Sequence, residues 1–140
     1  MKKVIFISRN KAEDALPKME DRASIISINS DSNMAKLDAG WLNKHFVVCD
    51  DIDRMYGPED DYHGRQLNLF SEEQAAAILA FVEEVKDSTD IMVVHCDAVI
   101  SRSGAVAKFI AEKYDLPFNH SYTLYNKHVY RTLWKVANGY

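Results

Sequence analysis

Val93-Val94-His95-Cys96-Asp97-Ala98-Val99-Ile100-Ser101-Arg102-Ser103-Gly104 passes from a strand through a short loop into a helix. Ile91 to His95 reads as a short apolar strand of the kind found in the middle of a parallel sheet. Ser103 to Tyr114 carries Ala105, Val106, Phe109 and Ile110 on one helical face. Cys96 therefore stands at the carboxyl end of a buried strand, where open α/β sheets place their ligands. Five residues separate it from Arg102, at the opening of the helix.

The same alternation extends to both sides. Lys3 to Ser8, Ala23 to Ile28 and His45 to Cys49 are rich in β-branched residues and read as strands. Lys11 to Glu20 suits a short helix, although Pro17 disfavours a helix interior. Asn29 to Asn33 has turn chemistry, and Leu37 to Lys44 reads as a helix. Asp50 to Gln66 holds Gly57, Pro58, Gly64 and many acidic residues, so it reads as a long exposed loop; loops of that length are often functional. Ser71 and Gln74 form a capping box for a helix that carries Ala75, Ile78, Leu79, Val82 and Val85 and ends near Asp87. Pro117 breaks the chain, and Leu124 to Val136 reads as a last helix. Strands alternating with helices predict one three-layer α/β domain over residues 1–140, with a central, mainly parallel sheet of four to five strands flanked by helices.

A strand–loop–helix segment of this kind suits a phosphate dianion. Backbone N–H groups at a helix N-terminus, together with the positive end of the helix dipole, bind anions. Arg102 adds a planar, bidentate grip on two phosphate oxygens. The same field favours a thiolate at Cys96 and makes it a nucleophile near neutral pH. Ser103 is placed to donate a hydrogen bond to that sulfur as it departs.

The remaining composition narrows the partners. A net charge of −4 over 140 residues argues against nucleic acid or an anionic membrane, both of which call for a basic face. Cys49 and Cys96 are the two cysteines and have no metal-ligand spacing around them. No apolar run reaches membrane-spanning length, and the first residues turn polar too soon for a signal peptide. The expectation is a soluble, cytoplasmic protein that uses no metal and no cofactor; its oligomeric state is open.

His95-Cys96-x5-Arg102-Ser103 resembles the signature of the protein tyrosine and dual-specificity phosphatase family. Ser24 to Asn29 looks like the second strand of its compact members. The run Asp50-Asp51-Ile52-Asp53 and the run Tyr125 to Arg131 are similar to small bacterial and phage relatives. The resemblance implies a phosphatase-like loop and a metal-independent, two-step hydrolysis of a phosphorylated protein or small phosphoester. Cys96 attacks phosphorus, an aspartic acid protonates the leaving oxygen, and water then hydrolyses the phosphocysteine. Asp97, Ala98, Val99, Ile100, Ser101 and Arg102 would surround the phosphate, with Cys96, Arg102, Ser103 and an acid as the catalytic set. The family carries that acid upstream of the long helix. Asp51 is the first choice and Asp53 the second, while Asp60 and Asp61 lie nearer the usual sequence distance.

One position departs from the family. Val99 stands where most of these loops have glycine, and a β-branched residue is poor at φ > 0. A second reading follows, a phosphate- or phosphopeptide-binding pseudophosphatase. Asp97 beside the nucleophile disfavours substrates with a second nearby phosphate. Plainer readings stand beside these. Cys96 as a small buried hydrophobe is one, and Asp50, Asp51 and Asp53 as a solvated turn is another. His95 would orient the loop through backbone rather than act as a base, and Cys49 would be a buried structural residue. Glu59, Tyr56, Tyr62 and His63 would be loop surface. Asn126, Lys127, Tyr130 and Arg131 would serve the last helix, with Tyr130 and Trp134 as core.

Overall fold

The computed structural model describes residues 1–53, 68–97 and 101–140. Four parallel strands form one sheet: β1 (Lys3–Ile7), β2 (Ala23–Asn29), β3 (Lys44–Val48) and β4 (Ile91–His95), in the order β1-β4-β2-β3. The last strand in sequence thus inserts between the first two, with His95 in register with both Ile7 and Ser27. β2 is buried along its whole length, as a strand flanked on both sides and covered on both faces must be.

The pleat sends alternate residues to opposite faces, and each face has its own core. Val4, Ile26, Ile28, Val47, Met92 and Val94 face the helices α2 (Glu72–Val85), α3 (Ser101–Lys113) and α4 (Lys127–Asn138). Ile25 and Val93 face the other way, against Ala12 of α1 (Arg9–Asp14) and against Trp41. Helices therefore cover one face, while the second is covered by a six-residue helix and an irregular segment.

The caps explain where the helices begin. Ser71 and Gln74 bond reciprocally to each other's backbone N–H, fixing the start of α2 as the sequence indicates. Ser8, expected as the end of the first strand, instead caps α1, which starts earlier than expected. α4 starts three residues later than Leu124 because Asn126 is its N-cap and accepts the Val129 N–H at 2.9 Å.

Three other expectations are corrected. No helix forms over Leu37 to Lys44. Asp38 Oδ2 accepts the Gly40 N–H at 2.8 Å in an Asx turn. A Cβ on Gly40 would stand 1.8 Å from the Pro17 carbonyl oxygen, so the chain passes too close for any side chain. Leu42 N–H then bonds to Ala23 O, and the segment is already extended beside β2. Asp50 is not exposed: it is 8% accessible, and it and Asn68 each donate a backbone N–H to the other residue. Trp134 is not core: it is 46% exposed and stacked on Tyr140. The residues 54–67, and with them Tyr56, Glu59, Asp60, Asp61, Tyr62 and His63, lie outside the described residues, as do Ala98, Val99 and Ile100. Among the described residues, no helix is long and apolar enough to cross a membrane.

Candidate active site

All four strands end on the same side, and each contributes to one region. β4 leads into Cys96 and Asp97, β3 into Cys49 to Asp51, β2 into Ser30, and β1 into Ser8 and Arg9. The segments after β1 and β2 pack on one face while α3, after β4, packs on the other. A crevice at such a divergence is the expected ligand site of an open parallel sheet.

Cys96 is fully buried, and its thiol donates to Ser103 Oγ at 3.2 Å. Behind it, a buried polar chain holds the strand end. Asn29 Nδ2 donates to Ser27 Oγ at 3.2 Å, and Ser27 Oγ lies 2.6 Å from His95 Nε2. His95 Nδ1 lies 2.9 Å from the Cys96 carbonyl oxygen. A neutral ring with its proton on Nδ1 satisfies every member: it donates to the carbonyl and accepts from Ser27. Burial holds the His95 pKa below its ordinary 6.5, in keeping with that form. His95 thus hydrogen-bonds backbone, at Cys96, as the sequence indicates, and its nitrogens are both engaged away from the thiol.

Arg102, only 3% exposed, enters the site from the first turn of α3. Its Nη1 donates to the Cys49 carbonyl at 2.5 Å and to Ser30 Oγ at 3.1 Å. Its Nη2 donates to Asp97 Oδ2 at 3.0 Å, and its buried Nε has no hydrogen-bond partner among the described residues. Burial opposes the charge, but the Cys96 sulfur and the Asp97 carboxylate outweigh it and raise the guanidinium pKa. Asp97 Oδ2 also accepts from Ser30 Oγ at 2.7 Å, and Arg9 Nη1 lies 3.9 Å from Asp97 Oδ1. Burial pushes the Asp97 carboxyl up, yet Ser30, Arg102 and Arg9 together hold it below its ordinary 3.8. A cleft of about 290 Å³ lined by Ser8, Arg9, Asn10 and Asp97 adjoins this cluster. Burial pushes the Cys49 thiol up to about 12.

The two described candidate acids differ in surroundings. Asp51 Oδ1 accepts from Ser101 Oγ at 3.0 Å, at the start of α3, and from Asn126 Nδ2 at 2.7 Å. Asp53 Oδ1 accepts the His128 N–H at 2.6 Å, in the first turn of α4, which is a capping role. The structure therefore brings Cys96, Ser103, Arg102, Asp97, Ser101 and Asp51 together, and gives Asp53 to the last helix.

Three residues of this region carry more than the sequence indicates. Ser30 binds both Arg102 and Asp97. Asn126 reaches Asp51 besides capping α4. Tyr122 lies across the start of α3, where a Cβ on Gly104 would come within 2.6 Å of its ring, and its ring centroid is 5.0 Å from that of Phe6. Burial first, then the nearby Cys96 sulfur and Asp51 carboxyl, push its phenol above the ordinary 10. The position before an amphipathic run marks Asn126 as a cap, but no local signal marks the other contacts. No protein-family model matches the chain, and no curated protein matches it.

Proposed function

We propose that the protein is a cysteine-dependent phosphomonoesterase of the protein tyrosine or dual-specificity type. The observation that carries this reading is the grouping of a buried thiol, a serine hydroxyl 3.2 Å from it, and a nearly fully buried arginine at the junction of β4 and α3. Burying a guanidinium costs several kcal/mol unless it is compensated. Here two carbonyl or hydroxyl acceptors and one carboxylate compensate it and leave Nε over.

In the first step the Cys96 thiolate attacks phosphorus in line and the P–O bond to the leaving group breaks. Asp51 gives its proton to the departing oxygen. Arg102 and the amides that open α3 bind the phosphoryl oxygens as charge spreads over them. In the second step Asp51 takes a proton from water, whose oxygen attacks the phosphocysteine. Sulfur leaves as a thiolate, with the Ser103 hydroxyl turned to donate to it.

The test is hydrolysis of p-nitrophenyl phosphate at mildly acidic pH with EDTA and a reductant present. Turnover that persists in EDTA and vanishes in Cys96→Ser supports the reading; a folded protein without turnover overturns it. The Arg102–Asp97 ion pair favours one second reading, a phosphate-binding protein without turnover, because substrate competes with Asp97 for the guanidinium. Vanadate or phosphopeptide binding without hydrolysis would select that alternative.

A further inference from the structure

Asn126 is 2% exposed, and its backbone and side chain together join three parts of the molecule. Its backbone N–H donates to Ser101 O at 2.9 Å, at the first residue of α3. Its Oδ1 accepts the Val129 N–H and caps α4. Its Nδ2 donates to Asp51 Oδ1 at 2.7 Å and to Ile52 O at 3.2 Å. A cap needs only the acceptor oxygen, and serine or aspartate supplies one equally well. The amide nitrogen is what asparagine adds, and both of its contacts go to the segment that carries Asp51.

We infer that Asn126 is a positioning residue for the Asp51 carboxyl, acting through its Nδ2 while Oδ1 caps α4. The inference rests on the phosphatase reading and deepens it. Two donors, Asn126 Nδ2 and Ser101 Oγ, converge on Asp51 Oδ1. A neutral carboxyl accepts on its carbonyl oxygen, so these donors put the transferable proton on Oδ2 and fix the plane of the group. The Ile52 contact fixes the backbone on the far side. Asp51 then delivers its proton from one orientation relative to α3, and a displacement on the order of 1 Å costs about 100-fold in rate.

Asn126→Ser and Asn126→Asp each keep a cap acceptor and remove the Nδ2 donor. Steady-state kinetics on phenyl phosphate, a poor leaving group, and p-nitrophenyl phosphate, a good one, separate acid delivery from general damage. Wild type and Cys96→Ser run alongside. The expected result is a fall in kcat of about 10- to 100-fold on phenyl phosphate, a clearly smaller fall on p-nitrophenyl phosphate and an unchanged KM. Neither substitution lowers the rate further in an Asp51→Asn background, because both act through one group. Equal losses on the two esters, or the same loss with Asp51→Asn present, overturn the inference while leaving the phosphatase reading intact. A folded wild type without turnover overturns that reading, and the inference with it.

Discussion

Arg102 and Asp97 form an ion pair in which one partner is 3% and the other 37% exposed, so the two ends of the pair meet very different solvent. Under the proposed function an incoming phosphoryl group would offer Arg102 a stronger acceptor than Asp97, with Nε, which has no partner among the described residues, as a second point of attachment. Lysine keeps the charge but loses the planar fork. Arg102→Lys is expected to lower kcat by about 100- to 1,000-fold and to abolish inhibition by vanadate, both read from p-nitrophenyl phosphate kinetics. Near-normal inhibition would assign oxyanion binding elsewhere. The aspartates make a second pair of predictions. Asp51→Asn removes the proposed acid and should lower kcat by about 100- to 10,000-fold. Asp53→Asn leaves an acceptor for the His128 N–H and should stay within a few-fold of wild type, with a stability loss under about 1 kcal/mol. A collapse in Asp53→Asn with Asp51→Asn active would reverse the assignment. At this scale the grouping of Cys96, Arg102 and Ser103 was legible because the three lie close together in sequence. Ser30, Tyr122 and the Asn126–Asp51 contact were not, since each joins segments that are distant in sequence.

The elements were most legible where local chemistry decides them alone. Ile91 to His95 and the Ser71 capping box were readable because an apolar run and a reciprocal cap need no distant partner. The expected helix over Leu37 to Lys44 failed because Gly40 answers to Pro17, more than twenty residues earlier, and the Asp38 turn uses the backbone that a helix needs. That close approach is testable. Gly40→Ala forces a Cβ against a backbone oxygen and is expected to destabilise the protein by about 1–3 kcal/mol, read from the denaturant midpoint. Specific activity of the folded fraction should not change. A variant as stable as wild type would mean that the segment does not pass Pro17 so closely. The late start of α4 has the same logic: an apolar pattern begins at Leu124, but the Asn126 cap sets the boundary.

Over the whole molecule, parallel topology makes the site a property of the sheet. Inserting β4 between β1 and β2 brings four strand ends together, and no single segment contains the result. The sheet order also buries His95, and this gives stability a pH dependence. Burial holds the pKa values of His95 and His45 below the ordinary 6.5, so the unfolded chain binds protons more readily than the folded one below that pH. Stability contributed by these groups is complete above about 6.5 and declines as pH falls toward the folded-state values. Urea midpoints should therefore drop between pH 7 and pH 5.5, and less so in a His95→Asn, His45→Gln variant; a flat or rising profile would contradict a buried neutral His95 and a half-buried neutral His45. Covalent catalysis at Cys96, as proposed, is tested by mass spectrometry of the acid-quenched enzyme during p-nitrophenyl phosphate turnover. Asp51→Asn should be used beside wild type, because losing the base slows hydrolysis of the intermediate. The expected result is a phosphoryl group on the peptide containing Cys96, accumulating in Asp51→Asn and absent from Cys96→Ser. Turnover with no phosphoryl group on Cys96, or with the group on another residue, would contradict it.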